Sequence, residues 1–145
     1  MSKKGFTLIE MLIVFLIIVL IISIILISLS SFRKNSQDKR IASEMDQLRK
    51  GAQMYKNEVG SYNFLSCSTS NDNIDKVCAD IDVLNGSSAA PLFTVSTDNS
   101  QYCAYVTVAS STSRWYCVDS DGKSAETTTD PSTTGCTTVA NPVCL

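Results

Sequence analysis

Three patterns of apolar and polar positions follow one another along the chain. The first is nearly all apolar: between Glu10 and Leu29 only Ser23 and Ser28 interrupt a run of Ile, Leu, Val, Met and Phe. Phe6 to Leu29 is twenty-four residues, and a helix needs about 20 apolar residues to cross the hydrocarbon core of a bilayer. The second pattern has helical period. Ile41, Met45, Leu48, Ala52 and Tyr55 fall on one face, with Lys39, Arg40, Glu44, Asp46 and Lys50 opposite, as on an amphipathic helix lying over a core. No Pro precedes Pro91 and no Gly lies between Gly5 and Gly51, so one helix is expected from Phe6 to about Asn57, about 78 Å long at 1.5 Å per residue. The β-branched run from Ile21 to Ile25 is only a weak breaker, and Gly60 with Ser61 supplies the stop.

The third pattern is shorter and mixed. Ile74, Val77, Cys78, Ile81 and Leu84 recur at helical spacing after Asn71, Asp72 and Asn73 and before Gly86, which predicts a short helix over 72–84. Asp75, Asp80 and Asp82 fall on its solvated side. From Leu92 the period drops to two. Runs at 92–96, 101–108, 114–119 and 123–128, separated by turn residues, predict an antiparallel meander. Tyr102, Ala104, Val106 and Val108 alternate with Cys103, Tyr105 and Thr107, so one face can cover the amphipathic half of the long helix. Trp115 is expected in or near the core. The Thr- and Ser-rich tail from Thr127 needs a disulfide through Cys136 or Cys144 to hold it. The fold class is therefore α+β, one long helix packed on a small antiparallel sheet braced by disulfides.

Charge and composition narrow what such a chain can do. Its 145 residues allow one domain plus an anchor, and the part beyond the anchor can bury one modest core. Residues 33–60 carry seven Lys/Arg against four Asp/Glu, whereas residues 61–145 carry three against nine. The acidic far end lacks the basic patch of a nucleic-acid binder. The chain has no His, which removes the commonest general base and metal ligand; no enzyme, catalytic residue or cofactor is expected.

All six cysteines, Cys67, Cys78, Cys103, Cys117, Cys136 and Cys144, follow residue 66 and read as a disulfide framework of an oxidising compartment. Spacing favours Cys67 with Cys78, Cys103 with Cys117 across a loop at Ala109–Ser111, and Cys136 with Cys144. Without a Cys-x-x-Cys pair no zinc site is expected. Asp119-Ser120-Asp121-Gly122 echoes the start of a calcium loop but lacks the later Glu, so a hairpin turn is preferred and calcium at Asp119 and Asp121 is the weaker alternative. Asn85-Gly86-Ser87 fits a glycosylation sequon and, equally, a helix-ending turn.

Two features of the apolar run are more than an anchor needs: Gly5 at its boundary and Glu10 inside it. A carboxylate there costs about 2.5–3.5 kcal/mol on insertion scales and calls for a partner. The segment Lys3-Lys4-Gly5-Phe6-Thr7-Leu8-Ile9-Glu10 resembles the leader junction of type IV pilins and pseudopilins, with a short basic leader, Gly before Phe, and Glu fifth after the junction. The resemblance implies a pilin-like fold with the apolar half of the helix protruding, cleavage between Gly5 and Phe6 by a prepilin peptidase, and N-methylation of Phe6. It further implies that Glu10 meets the Phe6 amine of a neighbouring subunit in a filament. Residues 1–5 are then the leader, 6–29 the membrane or filament-core helix, 30–57 its amphipathic continuation and 58–145 an extracytoplasmic head. The partners implied are copies of the chain, the peptidase and an inner-membrane assembly machine. The product is a cell-surface filament or periplasmic pseudopilus.

Many pilins carry Gly or Pro inside the apolar half, and this sequence has neither, so a more continuous helix is expected. The basic cluster at Arg33, Lys34, Lys39 and Arg40 outweighs Lys3 and Lys4, and a charge count alone would place the head inside. The cysteines and the resemblance place it outside. Alternative functions are a minor pilin or pseudopilin of a type II secretion or DNA-uptake machine and, from another class, a tethered extracytoplasmic binding domain that does not polymerise.

Overall fold

Helix α1 runs from Leu8 to Val59 without interruption. It ends where the sequence supplies a residue that tolerates a left-handed backbone: Gly60 has φ +87° and its N–H donates to the Lys56 carbonyl at 2.7 Å. A computed structural model describes residues 7–68, 71–86, 89–137, 140 and 142–144, without the side chains of 26–28. Two compact units are distinguished, Met1–Lys34 and Asn35–Leu145.

In the second unit the periodic stripe of α1 is the floor of the core. Ile41, Met45, Leu48 and Ala52 are fully buried and Tyr55 nearly so. Helix α2, Asp72–Leu84, is capped by the Asn71 side chain, which accepts from the Asn73 N–H at 3.2 Å. It contributes Ile74, Cys78, Ile81 and Leu84 to the same core. Gly51 lies at the approach of the two helices, where a Cβ would stand 3.4 Å from Ile74 Cγ1.

Strands β1 (Leu92–Val95), β2 (Tyr102–Val108), β3 (Ser111–Asp119) and β4 (Ser124–Thr127) form an antiparallel sheet in the order β1-β2-β3-β4. Tyr102, Ala104, Val106 and Val118 face the helical core, as the alternation predicts. Polar links fix the sheet to α1. Asp38 accepts from the Ser110 N–H at 3.0 Å and from the Ser110 hydroxyl, and pairs with Arg114 at 3.2 Å; Arg114 also meets Glu126 at 2.7 Å. Further along the helix, Ser124 donates to Asp46 at 2.6 Å.

The opposite face of the sheet holds a second cluster, Cys103, Cys117, Cys136 and Cys144, covered in part by Tyr105. Cys67 pairs with Cys78, as spacing suggests, but the other two expected pairs do not form. Cys103 bonds Cys136 and Cys117 bonds Cys144, with Cα separations of 5.4 and 5.8 Å. The reason is register. Cys103 stands opposite Asp119, and Cys117 opposite Tyr105, because β3 carries extra residues just after the turn: Val108 pairs with Ser111 but Thr107 pairs with Trp115, which shifts the rest of the ladder. The two cysteines are therefore diagonal neighbours, and each reaches into the C-terminal segment. That segment is held to the sheet by both bridges, rather than closed on itself. Trp115 also departs from expectation. It pairs with Thr107 on the cysteine face and is only half-buried, outside the core packed on α1.

Candidate functional site

The sequence points to the N-terminal junction. Gly5 and Phe6, the expected cleavage and methylation positions, lie outside the described residues. Glu10 lies in the first turn of α1. Its Oε2 accepts from the Thr7 N–H at 2.8 Å and from the Thr7 hydroxyl at 2.9 Å, while the Glu10 N–H reaches back to the Thr7 hydroxyl oxygen at 3.4 Å. This is a reciprocal capping box, in which Thr and a Glu three residues later satisfy donors that a helix start otherwise leaves unpaired. Both bonds to Thr7 fall on Oε2, and Oε1 takes neither. The N–H of Thr7 belongs to the Phe6–Thr7 peptide, so cutting the bond before Phe6 leaves the box intact. Thr7 is the residue that reasoning from Gly5, Phe6 and Glu10 passes over, although the Thr-x-x-Glu spacing is itself the signal.

Beyond the box every large apolar side chain from Leu8 to Ile25 is at least 47% exposed. Covering each such side chain is worth about 1.5–3 kcal/mol, so water is the wrong surrounding for this surface. Among the described residues one helix, α1, is long and apolar enough to cross a membrane, and none of its most apolar eighteen-residue window is buried within the chain. Ser23 adds no polar demand there, since its hydroxyl donates to the Val19 carbonyl at 2.8 Å.

The remaining candidates lie in the second unit. Asp119 is almost fully buried and accepts from the backbone N–H groups of Asp121, Lys123 and Cys144 at 3.1, 2.9 and 2.9 Å. These bonds hold the β3–β4 turn and the C-terminal segment together. The amide nitrogen of Asn85 donates to the Thr107 carbonyl and hydroxyl at 2.9 and 3.1 Å; the sequon asparagine thus ties the end of α2 to β2. Ser87 of that sequon lies outside the described residues. At the β1–β2 turn Asp98 is held down to a pKa of about 2 by bonds from the Ser96 hydroxyl and then from the hydroxyl and N–H of Ser100.

Comparison with known proteins bears on the junction alone. No curated protein and no solved structure matches the chain. Residues 1–29 match the family described as the Prokaryotic N-terminal methylation motif, a span that contains Gly5, Phe6, the Thr7–Glu10 box and the apolar helix. These residues carry the signature of type IV pilins and pseudopilins.

Proposed function

We propose that the chain is a prepilin, cut between Gly5 and Phe6, N-methylated on Phe6, and assembled through α1 into a filament with the disulfide-braced head outside the membrane. The observation that carries this reading is the methylation motif over residues 1–29, and the apolar surface of α1 supports it. Residues 1–5 act as the leader, 6–29 as the membrane and then filament-core helix, and 58–145 as the head on the amphipathic continuation at 30–57. The motif marks structural subunits rather than enzymes.

Glu10 has two duties in this account. Its Oε2 closes the helix cap on Thr7. Its charge pairs with the Phe6 ammonium of the next subunit, where an unpaired buried ion would cost several kcal/mol and so disfavours every other register. Glu10→Gln separates the two, since a Gln accepts the cap bonds but carries no charge. The variant is expected to insert in the membrane normally and to form no filaments by electron microscopy. Filaments at the wild-type level in Glu10→Gln would remove the pairing role.

A further inference from the structure

The four cysteines on the outer face of the sheet come closer together than two separate bridges require. Across the bridges, Cys103 Sγ lies 3.3 Å from Cys117 Sγ and 3.7 Å from Cys144 Sγ, and Cys117 Sγ lies 3.5 Å from Cys136 Sγ. All four sulfurs fall within 4.8 Å of one another. Four thiolates around zinc, each about 2.3 Å from the metal, form a tetrahedron with edges of about 3.8 Å. Three of the four cross-distances are near that edge, the fourth lies within 4.8 Å, and reduction allows the two bonded pairs to open toward it.

We propose that Cys103, Cys117, Cys136 and Cys144, when reduced, bind one zinc ion as a buried tetrathiolate. The chemistry suits a borderline-soft cation, for which four sulfur ligands in a tetrahedral array are a structural site. All four residues are at most 4% exposed, so a bound ion would be screened from water. The ligands come from β2, β3 and two points of the C-terminal segment, which is why no Cys-x-x-Cys spacing announces them. The backbone at Cys144 is fixed by its N–H bond to Asp119, and Tyr105 packs over the cluster. Zinc would therefore hold the C-terminal segment to the sheet as the bridges do. The two states exclude each other, because each bridge removes two ligands.

The site is independent of the filament reading and is tested on the full chain in detergent without oxygen. A water-soluble phosphine opens each bridge: one phosphine and one water are consumed, the disulfide gains two electrons and two protons, and phosphine oxide is left. Cobalt(II) is then titrated as a spectroscopic stand-in for zinc. The expected result is one cobalt per chain, with thiolate-to-metal charge-transfer and tetrahedral visible bands that zinc abolishes. The Cys67→Ser/Cys78→Ser double variant should give the same spectrum, whereas Cys103→Ser or Cys144→Ser should weaken binding roughly a hundredfold or more. Zinc should also restore protease resistance to the C-terminal segment of the reduced chain, which covers the case in which reduction loosens the head. Absence of the tetrahedral spectrum at one equivalent, its loss in the Cys67/Cys78 variant, or no protection by zinc would each overturn the proposal.

Discussion

Residues 8–25 and residues 41–55 belong to one helix, yet they meet opposite surroundings. In the first stretch every large apolar side chain is exposed; in the second, Ile41, Met45, Leu48, Ala52 and Tyr55 are all buried. Backbone geometry does not distinguish them. The difference is where the covering surface comes from. The second stretch alternates charge with apolarity and finds its cover in α2 and the sheet of the same chain, whereas the first is apolar on all sides and has to find it outside the chain.

The sharpest way to break this comparison is to truncate one side chain in each stretch. Leu48→Ala should destabilise the head by about 2–5 kcal/mol in denaturant unfolding, since it leaves a cavity in a packed core. Leu16→Ala, at a position 56% exposed, should leave that unfolding unchanged within about 0.5 kcal/mol. Equal effects from the two would mean that the apolar stretch is also part of the folding core. Next in size, Asp38→Ala strips the Ser110 N–H of its acceptor and Arg114 of one of its two carboxylates where the sheet meets α1. A loss of about 1–3 kcal/mol is expected by the same assay.

Tyr102 is fully buried, and its hydroxyl has no hydrogen-bond partner among the described residues. Burial, and then the neighbouring Tyr62, push its pKa well above the usual phenol value. The neutral form is thus favoured on folding, so the head should be fully stable below about pH 10 and lose stability as pH rises beyond it. Tyr102→Phe should keep or slightly raise stability at pH 7, by up to about 1 kcal/mol, and flatten the alkaline decline. The smallest expected effect is at Asp98. Its pKa is lowered to about 2, so its contribution is present above about pH 4 and fades as pH falls toward 2. Comparing acid titrations of the parent and Asp98→Asn by circular dichroism checks this, and the variant should show a shallower decline.

How much of this was legible in the sequence depends on the range of the cause. The stripe on α1, the bounds of α2 and the alternation on β2 are set by neighbours a few residues away, and they read correctly from periodicity alone. The disulfide pairs beyond Cys67–Cys78 were not legible, because they hang on a strand register that the irregularity on β3 between Ser111 and Trp115 decides. The same register carries Trp115 to the outer face, where size alone suggested the core. Asp119 read as part of a turn, but its bond to the Cys144 N–H joins positions far apart in the chain. At the junction Glu10 was legible through its cost in an apolar run, while Thr7 was hidden among the residues that make the motif.

The central claim is that residues 1–5 are removed and α1 becomes an assembly element with a modified end. The most direct measurement is mass spectrometry of the protein recovered from cells, aimed at its N-terminal peptide. The account predicts a peptide beginning at Phe6 and heavier by one methyl group. A peptide beginning at Met1 or Ser2, with Gly5 still joined to Phe6, would contradict it.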